Sequence, residues 1–79
     1  MEKYLIQVQD ELRLRNYSQK TVKSYIACLK EFLFICVHPE QLDVAFIKKY
    51  LINKFDNNLS PQTVNLHLNA IKFFYRDIL

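Results

Sequence analysis

The segment YSQKTVKSYIACLKEFL (residues 17–33) carries the clearest structural signal in this 79-residue chain. Ser18 is a favoured helix N-cap, and the apolar residues after it recur every three or four positions, as on the buried side of a helix. The pattern predicts an amphipathic helix that begins after Ser18 and continues to about Cys36, where His38 and Pro39 stop it. Its predicted buried face consists of Val22, Tyr25, Ile26, Leu29, Phe32 and Leu33.

The same pattern returns 42 residues later, in LSPQTVNLHLNAIKFFY (residues 59–75). Ser60 takes the place of Ser18, and Pro61 stands at the first helical position, where its missing N–H costs nothing. A second amphipathic helix is therefore predicted from Ser60 to the end of the chain. Its predicted buried face consists of Val64, Leu68, Ile71, Phe74 or Tyr75, and Ile78. Two capped amphipathic helices can also align by chance, so this alternative stays open.

Two further helices are predicted from the remaining segments. The range Lys3–Arg15 has apolar residues at helical spacing, and Asn16 can end this helix in the left-handed conformation in a chain without glycine. Asp43 is expected to cap another helix, which ends in the turn 56–58. The apolar stripe predicted for that helix consists of Val44, Ile47, Tyr50, Leu51 and Phe55. We expect one all-α domain over residues 1–79, built from two helical hairpins packed across one core.

Composition excludes several classes of function. Without glycine the chain has no glycine-rich phosphate loop and no nucleophile elbow, and one small core leaves little room for a catalytic pocket. Cys28 and Cys36 lie about 12 Å apart along one helix, which is too far for a disulfide, so both are expected to be reduced thiols. Together with His38 and His67 they lack the paired spacing of a zinc site. We expect no metal, no cofactor and no small-molecule ligand.

The chain carries no sequence signal for a membrane or for secretion. No apolar run approaches the roughly 18 residues that a membrane span needs, and the first residues lack the apolar centre of a signal peptide. We therefore expect a cytoplasmic protein that makes no membrane contact.

On the two capped helices, the positions directly opposite the predicted core carry no carboxylate. They are Lys20, Lys23, Ala27 and Lys30 on the first of these helices, and Gln62, Asn65, Asn69, Lys72 and Arg76 on the second. Because cations neutralise phosphates and amides bond phosphate oxygens or base edges, this pattern favours nucleic-acid binding. At a net charge of only +3, a solvated face that happens to be basic would look the same, so both interpretations stay open.

The compound pattern Tyr17-Ser18-x-x-Thr21, followed by Leu59-Ser60-x-x-Thr63-Val64-Asn65-x-His67, resembles the N-terminal SAM-like, core-binding domain of tyrosine recombinases. The ending FFYRDIL (residues 73–79) is similar to that of integron integrases. The resemblance implies a four-helix domain that forms half of a C-shaped clamp on double-stranded DNA, at an attachment or recombination site. It also implies a longer parent recombinase that self-associates on DNA. Strand cleavage would belong to a separate catalytic domain, so we expect this chain not to be an enzyme and to contain no catalytic residue.

The resemblance also assigns roles to individual residues. It implies phosphate contacts by Thr21 and Thr63, with charge supplied by Lys20, Lys23, Lys72 and Arg76. Ser24, Asn65 and Asn69 are the implied groove or backbone contacts, and Lys30 and Gln62 on the same faces complete the expected DNA-binding set. Leu66 departs from the family pattern, since many members have a basic residue there.

Two alternatives remain from the sequence. His67 is expected to be a partly buried packing residue, and a DNA contact is its alternative role. The whole chain is alternatively a helical protein-interaction module that does not bind DNA, with an exposed Phe34 or Phe73 as its anchor.

Overall fold

The computed structural model describes residues 2–79, and within them it contains only helices. These are α1 (Glu2–Leu14), α2 (Gln19–Ile35), α3 (Val44–Asp56), α4 (Pro61–Phe73) and a closing π-helical segment (Phe74–Ile78). Helix α1 packs on α2 and α3 packs on α4, while α2 and α4 share the most extensive interface. The predicted all-α fold of two hairpins across one core is confirmed.

The two hairpins are closed by the same turn. Asn16 and Asn58 have φ angles of 64° and 66°, in the left-handed region that asparagine tolerates better than most residues. The Tyr17 N–H donates to the carbonyl five residues earlier at 3.0 Å, and the Leu59 N–H does the same at 3.2 Å. Each bond satisfies a carbonyl at the end of the preceding helix, so asparagine performs the capping role that glycine has in most proteins.

The two serine caps are also the same at atomic detail. Ser18 Oγ accepts a hydrogen bond from the Thr21 N–H at 3.2 Å, and Ser60 Oγ accepts one from the Thr63 N–H at 3.2 Å. Both serines then donate to the hydroxyl of the same threonine, at 3.0 and 2.9 Å. The predicted caps are confirmed, and the 42-residue repeat is present in the three-dimensional structure.

Aromatic contacts in the core join the hairpins reciprocally. Phe32 and Phe74 are equivalent in the repeat, and both side chains are fully buried. The Tyr4 ring meets Phe74 edge-on with centroids 5.2 Å apart, and the equivalent Phe46 ring meets Phe32 at 6.0 Å. Since each hairpin inserts the same pair of positions into the other, the hairpins are related approximately as two halves of a two-fold arrangement.

The apolar stripe predicted for α3 is partly wrong. Val44 and Phe55 are 54% and 50% exposed, whereas Tyr50 and Lys54 are buried and Phe46 is half-buried. Positions 46, 50 and 54 are each four residues apart, so they share one face of the helix. Because Lys54 is charged, the apolar pattern of the sequence does not indicate this face.

The end of α4 also differs from the prediction. The last turn is π-helical, and the Leu79 N–H donates to the Phe74 carbonyl at 3.0 Å, five residues back. The interaction-module alternative supposed an exposed Phe73, but this side chain is only 2% exposed. The Arg15 guanidinium lies 5.3 Å from the centre of its ring. Phe34 is 80% exposed, as that alternative expected.

Some chemical features of the described residues follow from this packing. No helix in 2–79 is both long and apolar enough to cross a bilayer. Cys28 is buried and Cys36 half-buried, both as free thiols, and burial raises the pKa of Cys28 above its ordinary value. Among the same residues no group of histidine, cysteine and acidic side chains is placed to hold a metal ion.

Candidate nucleic-acid interface

The solvent-facing residues of α2 form what we call the first basic face: Lys20, Lys23, Ala27 and Lys30. All four are exposed, and Lys23 and Lys30 lie along a groove of 290 Å³ between α1 and α2, together with Gln9 of α1. None of its lysines makes an ion pair within the described part of the chain. Their full charge is therefore available to an anionic ligand.

Near the start of α2 the first basic face continues onto α1. A groove of 530 Å³ is lined by Gln9, Arg13, Tyr17, Gln19, Val22 and Lys23. Arg13 is exposed and was not predicted as a site residue, because the sequence analysis confined the site to two helices. It lies four residues after Gln9, so the two side chains share one face of α1 and line the same groove. That spacing is the signal that could have found it.

The solvent-facing residues of α4 and the following segment form the second basic face: Gln62, Asn65, Asn69, Lys72 and Arg76. All five are exposed. Lys72 and Arg76 border a groove of 690 Å³ between α3 and α4, where Lys48 of α3 is a third cation that the sequence analysis did not select. The structure thus groups the predicted residues into two faces, one beside α1 and the other beside α3.

Arg76 is less available than Lys72 because Asp77 holds it. The Arg76 Nε donates to the Asp77 carboxylate at 2.9 Å, and Arg15 donates to the same carboxylate at 3.3 Å. Desolvation alone would raise the pKa of Asp77, but the hydrogen bonds from Arg76 and Arg15 outweigh it and hold this pKa below its ordinary value. We expect Lys72 to provide the stronger phosphate contact of the two.

Two acids that directly follow a residue of the basic faces in the chain, Glu31 and Asp77, are paired with cations. Glu31 follows Lys30 in the chain and contacts the ammonium of Lys54, while Asp77 is shared by Arg15 and Arg76. Because these carboxylates already have partners, their repulsion of a bound phosphate is reduced.

The three hydroxyl groups predicted to contact DNA differ in whether their proton is still free to be donated. The Thr21 and Thr63 hydroxyls accept hydrogen bonds from the serine caps, so their own protons remain available for a phosphate oxygen. The Ser24 hydroxyl donates to the Lys20 carbonyl at 3.0 Å, and its proton is already used. The two threonines therefore keep a hydroxyl proton for an external acceptor, and Ser24 does not.

The first turns of α2 and α4 add backbone donors to both faces. Neither turn contains an acidic residue, and each begins beside one of the threonines. Unpaired N–H groups and the positive end of the helix dipole favour a bound anion at such a terminus. The serine caps already bond the Thr21 and Thr63 N–H groups, and Pro61 has no N–H. The remaining backbone donors are those of Gln19 and Lys20 at the start of α2 and that of Gln62 at the start of α4.

His67 belongs to the core and not to the second basic face. Its side chain is 6% exposed, it packs edge-on against Tyr50 with centroids 6.4 Å apart, and its Nδ1 has no hydrogen-bond partner in the described structure. Desolvation, together with the positive charge of Lys54, lowers its pKa. The predicted packing role is confirmed, and this burial leaves no place for the alternative DNA contact.

Comparison with known proteins identifies one domain family that the chain matches. Residues 4–79 match the family model described as the phage integrase N-terminal SAM-like domain. The chain is 33% identical over 72 residues to a tyrosine recombinase XerC of Rickettsia massiliae, covering 78% of this chain and 24% of that protein. It is 29% identical over 76 residues to XerC of Chlorobaculum tepidum, covering 82% and 23%. The chain thus spans about a quarter of the length of these relatives. No solved structure gives a significant match.

Proposed function

The chain belongs to the family of phage integrase N-terminal SAM-like domains, and we propose that it is a DNA-binding clamp domain of a tyrosine recombinase. In this proposal it holds double-stranded DNA near the strand-exchange site, and a separate part of a longer recombinase cuts the strands. The observation that carries it is the pair of exposed, carboxylate-free faces, presented by two helices with the same caps. Such a partner implies action in the cytoplasm, on nucleoid or phage DNA.

The two basic faces have different chemistry, which suggests different tasks. The first basic face carries three lysines, which serve as point charges for phosphates. The second carries three amides at its start, Gln62, Asn65 and Asn69, followed by cations. Since asparagine and glutamine can bond both hydrogen-bonding groups of an adenine edge, we assign sequence reading to the amides and affinity to the lysines.

The proposal is tested with the double variant Lys23→Ala/Lys72→Ala, which removes one exposed, unpaired cation from each face. If about four to six cations neutralise phosphates, the log–log salt slope of duplex binding is roughly −4 to −5 for the parent. The double variant should reduce its magnitude by about 2 and weaken binding to all sequences. Fluorescence anisotropy with a labelled duplex at several salt concentrations measures both quantities.

A matched control is the double variant Lys3→Ala/Lys49→Ala, which makes the same charge change at exposed positions outside both faces. It should keep a slope close to that of the parent. If the two double variants weaken binding equally, net charge alone explains the affinity and the proposed faces are not the DNA surface.

The exposed apolar cluster at the end of α2 favours a second role, self-association of the parent protein on DNA. Phe34, Ile35 and Val37 are 80%, 47% and 83% exposed, and Phe34 continues the line of the first basic face. We propose that this cluster contacts a neighbouring copy. Phe34→Ser should reduce the association of copies of the parent protein on duplex DNA, measured by sedimentation. It should leave the affinity of the single domain for duplex nearly unchanged. A loss of duplex binding by the single domain would assign Phe34 to the DNA surface instead.

A further inference from the structure

DNA binding does not account for the groove of 690 Å³ between α3 and α4. Seven of its ten lining residues are apolar, including Ile47, Leu51 and Leu68. Leu42 and Val44, which also line it, are 63% and 54% exposed. Apolar side chains left open to water on a surface groove mark a site that a partner covers.

The charged residues that line this groove are all cations, although one of them, Arg76, is paired with Asp77. Lys48, Lys72 and Arg76 line it, and no carboxylate does. Lys48 and Lys72 make no ion pair within residues 2–79. An occupant that fits must therefore combine apolar side chains with negative charge.

The first hairpin serves as an internal comparison because the repeat supplies an equivalent groove. There the position of Leu51 is taken by Gln9, which lines both grooves of the first hairpin, of 290 and 530 Å³. The second hairpin thus differs from the first by an apolar residue at this position and by a larger groove of 690 Å³.

We propose that the α3–α4 groove binds an amphipathic helix of a partner protein, with apolar side chains against Ile47, Leu51 and Leu68 and carboxylates against Lys48 and Lys72. Helices that lie in grooves present anchors at positions i, i+3 or i+4, and i+7, and complementary charges around the anchors fix their register. DNA fits this groove poorly, since protein–DNA interfaces are more polar than protein–protein ones. Because Lys72 is shared with the second basic face, the helix competes with DNA.

The test uses a labelled helical peptide of about four turns with leucines at i, i+4 and i+7 and glutamates beside them. Matched peptides replace the glutamates by lysines or the leucines by serines. Anisotropy without DNA should show binding of the glutamate peptide, at least about tenfold weaker binding of the lysine peptide, and none of the serine peptide. Adding the glutamate peptide to a preformed complex should release labelled duplex.

A variant pair locates the binding site. Val44→Asp places a charge on an exposed residue of the groove, and Ile6→Asp places the same charge at an exposed apolar position outside it. Val44→Asp should weaken peptide binding about tenfold or more, and Ile6→Asp should not. Circular dichroism checks that both variants fold.

Three results would overturn the proposal. The first is equal binding of the glutamate and lysine peptides, and the second is equal affinity of Val44→Asp and the parent for the glutamate peptide. The third is a loss of duplex affinity in Val44→Asp as large as in Lys23→Ala/Lys72→Ala, which would assign the groove to DNA. The direct peptide-binding measurements contain no DNA, so they can fail while the proposed DNA binding stands. DNA binding can likewise fail while the peptide binds.

Discussion

Lys54 occupies a core position that its residue type would not predict. It is equivalent to Leu12 in the repeat, and its side chain is only 10% exposed. The stem packs inside, the ammonium lies 4.8 Å from the centre of the Tyr50 ring, and the head contacts Glu31, whose side chain is 53% exposed. A long lysine stem can replace leucine in this way because only its charged tip has to reach water or a carboxylate.

This arrangement predicts unequal effects when either partner of the pair is replaced. Lys54→Met keeps the packing and leaves Glu31 half in water, so the free energy of unfolding should stay within about 1 kcal/mol of the parent value. Glu31→Gln leaves a buried ammonium without its counter-charge and should cost about 1–2 kcal/mol, discounted because Glu31 is half-exposed. Urea denaturation of both variants measures the difference. Equal costs would show that the pair contributes no net attraction.

Buried His67 predicts a stability that declines in mild acid. Its pKa is lowered in the folded state by desolvation first and then by Lys54, with Glu31 opposing. As the pH falls below 6.5, the ordinary histidine value, the unfolded chain takes up a proton that folded His67 does not. The free energy of unfolding should therefore decrease from there down to the lowered pKa.

The role of His67 is tested by replacing it with a residue that does not titrate in this pH range. His67→Gln should flatten the urea midpoint between about pH 7.5 and about pH 5.5, because glutamine binds no proton in this range. A decline that persists in His67→Gln would place the titrating group elsewhere.

At the scale of elements, the two hairpins use the same devices to start and end their helices. Ser18→Ala and Ser60→Ala each remove a side-chain acceptor from a helix terminus, and each should cost about 1 kcal/mol of unfolding free energy. Since the two caps have the same geometry, the two costs should agree within a few tenths of a kcal/mol. Thermal or urea unfolding tests this, and a difference above about 1 kcal/mol would mean that the repeat is not energetically equivalent.

The left-handed asparagines make a second prediction at this scale. Asn16→Gly and Asn58→Gly should be neutral or slightly stabilising, because glycine adopts positive φ without a steric cost. The alanine substitutions at the same positions should cost about 1 kcal/mol or more. Urea midpoints of the four variants provide the measurement, and alanine variants as stable as the glycine variants would contradict it.

The first residues of α2, α3 and α4 could be predicted from the sequence better than the side of each helix that is buried. Ser18, Asp43 and Ser60 act through bonds to residues three positions later, so local pattern was enough to find them. The burial of Lys54 and of Phe73 depends on partners from other elements, Glu31 and Arg15 respectively, which no local pattern contains.

In the candidate site, too, the sequence predicted what depends on one helix and not what depends on contacts between helices. Exposure of the two basic faces could be predicted, because helical periodicity alone places their residues opposite the core. The contributions of Arg13 and Lys48 could not, since each depends on which neighbouring helix packs beside the face. The same is true of the ion pair that occupies Arg76.

At the scale of the whole molecule, the approximate two-fold relation presents two capped helices whose exposed faces occupy equivalent positions in the 42-residue repeat. Reciprocal contacts of Tyr4 with Phe74 and of Phe46 with Phe32 fix one hairpin against the other. Because α2 and α4 share the largest interface, the two basic faces are held on one rigid pair of helices. A duplex that contacts both would meet a preformed surface, and its binding would not need the domain to change shape.

The most direct test of the central claim is an amide NMR titration of the chain with a short duplex, first at low salt and then at moderate salt. The account predicts shifts clustered in residues 18–30 and 60–76 that fade as salt is added, because the contacts are mainly to phosphates. The absence of shifts at low salt, or shifts confined to other segments, would contradict DNA binding by these two faces.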